Sequence, residues 1–277
     1  MATNGQGFAL NHIATPKLRL AQFLDLAQKL GIDEVEIRND LPGVEIADGT
    51  APDEVKREAQ ARGMTILSIN ALYPFDVWTT DTAERAKQLA AYAQACGARA
   101  LVLCPLNSLE DERSPGRRAA DLRSALSGLA AILGDHGVLG LVEPLGFGEC
   151  SLRTKGAAIA AIDEVGASGS FKVLHDTFHH YLAGEKDIFP ERTGLVHISG
   201  VEDKSLEIAQ IRDAHRVLVG PADRMDNVGQ VKALRAGGYH GPLSMEPFAT
   251  SVHELPDPAG ALHESFAYVA REAGLSA

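Results

Sequence analysis

A chain of 277 residues, 45% apolar and 23% charged, suits one packed α/β domain, and no apolar run approaches the ~18 to 20 residues a membrane span requires. Its formal net charge of −11, from 26 basic and 37 acidic side chains, argues against a nucleic-acid partner, because such binding draws on Lys and Arg contacts to phosphate. Three cysteines without metal-type spacing (Cys96, Cys104, Cys150) argue against a disulfide framework, and the opening Met-Ala-Thr-Asn-Gly-Gln-Gly lacks the regions of a signal peptide. The expected location is therefore the cytoplasm.

Along the chain, amphipathic helices end at glycine and lead into short apolar strands. Phe8-Ala-Leu-Asn11-His12 supplies a first strand. Leu20, Phe23, Leu24, Ala27 and Leu30 share one face of a helix expected over 16–30, with Thr15 as N-cap, Pro16 at the first helical position and Gly31 as left-handed cap. A strand follows at 34–38. The unit recurs as helix 52–62 and strand 64–70, helix 82–96 and strand 98–104, and helix 115–136 with the strand ending at Glu143. A helix over 154–165 precedes the strand ending at Asp176, and the next strand ends at His197. A helix over 225–236 precedes the strand ending at Glu246, and a helix over 256–273 closes the chain. The least distinct helix lies between Phe178 and Ile188.

Eight strands alternating with helices predict parallel βαβ units closed into a single (β/α)8 barrel. An open doubly wound sheet would carry a Gly-rich loop after its first strand, and Asn11-His-Ile-Ala-Thr15 is not one. No linker divides the chain, so residues 1–277 are taken as one domain.

Glu143, Asp176, His197 and Glu246 stand at the carboxyl ends of strands five to eight, the end of a barrel where active sites are built. Singly each has a plain explanation. A Glu before Pro ends a strand, an Asp after one caps a helix, and a His between Val196 and Ile198 is a core histidine. Jointly, three carboxylates and an imidazole at one end make an O/N donor set suited to Mn²⁺, Mg²⁺, Co²⁺ or Zn²⁺. Asn11, Arg38 and Asn70 end strands one to three and are candidates to bind hydroxyls or, equally, to cap the loops that follow. Tyr73, Phe75 and Trp78 offer either a wall for a sugar ring or packing beneath a loop, while Arg153 and Lys155 read as surface charges or as reaching substrate.

The segments Glu36-Ile37-Arg38, Asn70-Ala71-Leu72, Leu141-Val-Glu143-Pro-Leu-Gly146, Asp176-Thr-Phe-His179, Val196-His197-Ile198 and Ser244-Met-Glu246 resemble the xylose-isomerase-like TIM barrels, and among them the inosose isomerases most. The resemblance runs over nearly the whole chain. It implies one divalent ion, Mn²⁺ foremost, held by Glu143, Asp176, His197 and Glu246, with substrate contacts from His179, Arg216 and Glu149. It also implies a small keto-polyol substrate whose carbonyl moves to the adjacent carbon through an enediolate, with Glu143 and Glu246 transferring the proton. Relatives carry a Gly-x-Gly turn after the arginine; here the chain reads Gly220-Pro-Ala-Asp223.

Ketose 3-epimerisation and aldose–ketose or hydroxypyruvate isomerisation use the same groups. Asp213-Ala-His215-Arg216 resembles part of the ligand set of AP endonucleases, but Asn70 and Cys104 stand where that cluster needs histidines. A non-catalytic sugar-binding barrel is the remaining rival, and assembly into a homo-oligomer is left open.

Overall fold

In a computed structural model that describes residues 7–41, 46 and 48–275, eight parallel strands close into a barrel in sequence order. Residues 1–6, which carry the reading of the N-terminus, lie outside the described residues. The strands are β1 (Phe8–Asn11), β2 (Glu34–Arg38), β3 (Thr65–Leu72), β4 (Ala100–Leu103), β5 (Leu139–Val142), β6 (Phe171–Asp176), β7 (Thr193–Ile198) and β8 (Leu243–Met245). Around them run α1 (Leu20–Leu30), α2 (Pro52–Ala61), α3 (Thr80–Cys96), α4 (Pro115–His136), α5 (Lys155–Glu164), α6 (Thr177–Ala183), α7 (Asn227–Ala236), α8 (Thr250–His253) and α9 (Pro258–Ala273). Among the described residues no helix is long and apolar enough to cross a membrane.

The period-two alternation of a strand sorts its side chains into two populations. Outward residues such as Leu10, Val35, Ile37, Ile69, Leu101, Val142, Val196 and Met245 join the buried apolar faces of the helices in one core. The inward residues form a smaller apolar plug, Ala9, Leu67, Ala100, Val102, Leu141, Leu174 and Leu195. Toward the carboxyl ends of the strands the inward positions turn polar: Asn11, Glu36, Asn70, Asp176, His197 and Ser244 are all buried. Register sets neighbours within this layer, with Asp176 level with His197, and His197 level with Ser244.

Several element boundaries differ from the expected ones. Helix α1 begins at Leu20, because Asn11 accepts a hydrogen bond from the Ile13 amide and winds His12–Ala14 into a 3-10 turn. Thr15 closes that turn instead of capping the helix. Gly31 takes the left-handed C-cap at φ 72°, as expected. The indistinct helix is α6, one residue past β6, its first turn capped by the Asp176 side chain. Glu143 and Glu246 lie one residue beyond β5 and β8, yet their amides still bond across to Leu103 and Ile198. They are therefore held as firmly as strand residues.

The loop after β5 packs directly against α6. A Cβ on Gly146 would collide with the His179 carbonyl oxygen and lie 2.8 Å from the Ala183 amide nitrogen. Gly146→Ala is expected to cost about 3 kcal/mol in urea unfolding, since two backbones must part; a loss below about 0.5 kcal/mol would show that the loop yields freely.

Candidate metal centre

Glu143, Asp176, His197 and Glu246 each present one ligand atom, all within 4.8 Å of one another, and all four are buried. His197 Nδ1 lies 2.9 Å from Glu246 Oε2, 3.2 Å from Glu143 Oε1 and 3.9 Å from Asp176 Oδ2. The plain explanations for Asp176 and His197 also hold. Asp176 Oδ1 accepts the amides of Phe178 and His179 as a helix cap, which leaves Oδ2 to face the centre. His197 is fully buried with both ring nitrogens engaged, but its partners are carboxylates. Capping and core packing hold these two residues in place; they do not compete with a role in the site.

The electrostatics match such a donor set. Burial alone would favour neutral imidazole at His197, but Glu246, Glu36 and Glu143 outweigh it and push its pKa well above the usual histidine value. Glu246 is likewise penalised by burial, and His197, Arg216 and Arg38 pull its pKa below the carboxylate range. A buried concentration of anionic oxygens calls for positive charge, and in the protein alone His197 and the two arginines supply it. A divalent cation fits the same oxygens and the imidazole nitrogen.

Arg216, expected near substrate, is 1% exposed. Its Nη2 donates to Asp176 Oδ2 at 2.7 Å and to Glu246 Oε2 at 2.9 Å, Nε donates to Ser199, and the guanidinium lies between the rings of Phe178 and Phe248. With Gly220-Pro-Ala-Asp223 in place of Gly-x-Gly, Arg216 reaches the charged centre. An antiparallel bridge between Gly200 and Val217 fixes the chain beside it. Asp223 organises the following turn by accepting the amides of Val201, Met225 and Asn227. Arg38 makes a two-pronged pair with Asp40 and donates to Glu246 Oε1 at 3.0 Å.

A cavity of about 330 Å³ opens above these groups, and Arg38, Asn70, Glu143, His179, Arg216 and Glu246 all line it. Glu149 stands apart, with Arg212 3.9 Å away, and is not part of that lining. Of the expected aromatic wall only Tyr73 faces the cavity; Phe75 is core, and Trp78 packs against Gly128 of α4. Phe147 and Phe248 supply the other aromatic surfaces. Asp213 pairs with Arg216, and His215 accepts the Arg212 amide, so neither joins the four-residue group.

Sequence reasoning gave no role to Glu36, which is fully buried with His197 Nε2 3.0 Å from Oε1. The signal was there: Glu36 is two residues before Arg38 on a buried strand, hence on the same face. Cys104 lies one residue past β4. Its thiol, raised well above the usual range by burial and by Glu143, stays protonated and donates to Glu143 Oε2 at 3.3 Å.

Comparison with known proteins adds the lineage. The family of xylose isomerase-like TIM barrels matches residues 24–271. The chain belongs to that family. It is 25% identical over 246 residues to an inosose isomerase of Halalkalibacterium halodurans, covering 85% of each chain. A xylose isomerase domain containing protein of Salmonella typhimurium LT2 superposes with a TM-score of 0.87 at 34% identity over 99% of both chains. The IolI protein, solved with a bound zinc atom, superposes with a TM-score of 0.84 at 22% identity, covering 97% of this chain and 98% of that one.

Lys155 is neither a surface charge nor among the residues lining the cavity above the metal-capable group. It is buried at the start of α5, 2.6 Å from Glu185 Oε2 and 2.8 Å from His180 Nδ1. Burial opposes the ionisation of Glu185, but His180, 3.8 Å away, and hydrogen bonds from Lys155 and the Gly156 amide lower its pKa from 4.5 to about 2. A depressed carboxylate stabilises the fold above its unfolded pKa and loses that contribution as pH falls through the folded value. Glu185→Gln is therefore expected to cost about 2 kcal/mol at neutral pH. In urea titrations the gap from the parent protein should be full above pH 4.5 and shrink towards about pH 2; a gap independent of pH would refute the pairing.

Proposed function

We propose that the chain is a divalent-metal-dependent isomerase that moves a carbonyl between adjacent carbons of a small keto-polyol of the 2-keto-myo-inositol type. The observation that carries this reading is the buried Glu143–Asp176–His197–Glu246 group, whose two glutamates line, with Arg38 and Arg216, a cavity sized for a small molecule. Similarity to an inosose isomerase supports the choice of substrate. The four residues would hold the ion, Mn²⁺ in first place, with Mg²⁺, Co²⁺ or Zn²⁺ also compatible with the donor set. When bound, such an ion supplies a Lewis acid that polarises the substrate carbonyl and acidifies the neighbouring C–H.

The protein groups divide the remaining work. A carboxylate takes the proton from the carbinol carbon beside the carbonyl, and the C–H electron pair forms the carbon–carbon double bond of an enediolate. A proton passes from the carbinol oxygen to the former carbonyl oxygen, and a carboxylate returns the carbon-bound proton one position along. Glu246 accepts three hydrogen bonds, from Asn11, Arg38 and Arg216, and has His197 Nδ1 2.9 Å from Oε2. Glu143 has two partners, His197 and the Cys104 thiol. Glu143, held by fewer donors, is assigned the proton-abstracting role, and Glu246 faces it as the return group. His179 and Arg216, which line the cavity, would donate to substrate oxygens.

Both glutamates are needed in this scheme. Glu246→Gln is expected to lower turnover by about 10³-fold or more, a loss of the size expected for a proton-transfer group, in a protein that still folds to a barrel by circular dichroism. NMR in D₂O with inosose, fructose, psicose and hydroxypyruvate tests the substrate: deuterium uptake and carbonyl migration are expected with inosose. Uptake at C3 of a ketohexose alone would reassign the protein as an epimerase, and uptake with none would reject the scheme.

A further inference from the structure

Beneath the four ligand candidates lies a second carboxylate site made from β1, β2, β3 and β8. Glu36 of β2 is fully buried and sits at the centre of the barrel. Its Oε1 accepts from Asn11 Nδ2 of β1 at 3.2 Å and from the Ser244 hydroxyl of β8. Its Oε2 accepts from the Ser68 hydroxyl at 2.5 Å and from Asn70 Nδ2 at 2.9 Å, both of β3. His197 Nε2 stands 3.0 and 3.1 Å from the two oxygens. Among the described residues, no Lys or Arg is bonded to it.

An ionised carboxylate only accepts hydrogen bonds, and it offers about four lone-pair directions. The amide of Asn11 is not free to turn over, because its oxygen already accepts from the Ile13 amide and from Arg38. Its NH₂ therefore faces Glu36. A set of donors this complete leaves His197 Nε2 one role opposite Glu36, that of an N–H donor. The ring then points Nδ1 at Glu143 and Glu246, and when a single proton is on the ring, the Nδ1 lone pair faces the ligand oxygens.

We infer that Glu36 is a positioning residue for the metal centre. It fixes the orientation and tautomer of His197, so that Nδ1 is the coordinating atom, and it thereby sets the affinity of the site. The inference rests on the metal-dependent reading above. It extends that reading to a residue that touches neither the ligand oxygens nor the substrate cavity. Carboxylates bonded to a metal-ligating histidine are worth about 10- to 100-fold in metal affinity.

Two measurements test it. In the wild-type protein loaded with Zn²⁺, ¹⁵N-resolved NMR of the His197 ring is expected to show a protonated Nε2 and a metal-bound Nδ1; coordination through Nε2 would overturn the inference without any substitution. In calorimetric titrations with Mn²⁺ and Zn²⁺, Glu36→Gln, which keeps the shape and removes the charge, is expected to weaken binding by about 10- to 100-fold. Affinity within about twofold of wild type would overturn the positioning role while leaving the metal centre intact. Failure of the wild-type protein to bind either ion would instead reject the metal-dependent reading from which the inference starts.

Discussion

A closed eight-stranded barrel packs its interior with side chains and leaves little room for water, so each charge placed there must be balanced at bonding distance. The upper half of this barrel follows from that constraint. His197 stands between Glu36 below and Glu143 and Glu246 above, while Arg38 and Arg216 close on Glu246 from two sides. Only the lower half, plugged by Ala9, Leu67, Val102, Leu141, Leu174 and Leu195, is apolar. The chain thus divides one interior into a part that supplies burial and a part that organises charge. The second is tolerable because every member has a partner.

The same constraint explains what the sequence revealed and what it hid. Glu143 and Glu246 were visible because each ends an apolar run before a proline, and Asp176 and His197 because they end the runs between. Glu36 stayed hidden for a physical reason. Glu34, Glu36 and Arg38 share one face of β2, and alternating charged residues on a strand are what a solvent-facing edge looks like. Closure of the barrel turns that face inward, and closure is a property of all eight strands together. Lys155 was misread in the same way. Its partners Glu185 and His180 lie 30 and 25 residues away, and nothing local announces that they converge. Helix α1 shows the converse: Pro16 suits a first turn, but the side chain of Asn11 commits the backbone to another turn before the helix begins.

The division between strands and loops also separates reaction class from substrate choice. The proton-transfer and ligand candidates stand on or one residue past strands, tied by main-chain hydrogen bonds to their neighbours. Much of the surface a substrate would meet belongs to connecting segments instead, including Tyr73, Asn107, Phe147 and Phe248. Loops of a barrel vary without disturbing its closure. Relatives with the same floor can therefore differ in what they turn over, and the floor does not disclose the difference.

Asp176 divides its two oxygens between the first turn of α6 and the guanidinium of Arg216. One carboxylate is thus both a hinge pin for a helix and a wall of the charged centre, and His179 is carried on that same first turn. The helix cannot drift without pulling on the centre, whereas the segment after β3 carries no ligand candidate. Divergence within this lineage should then be lopsided, with the side of the cavity formed by α6 nearly frozen and new specificities arising from the opposite rim.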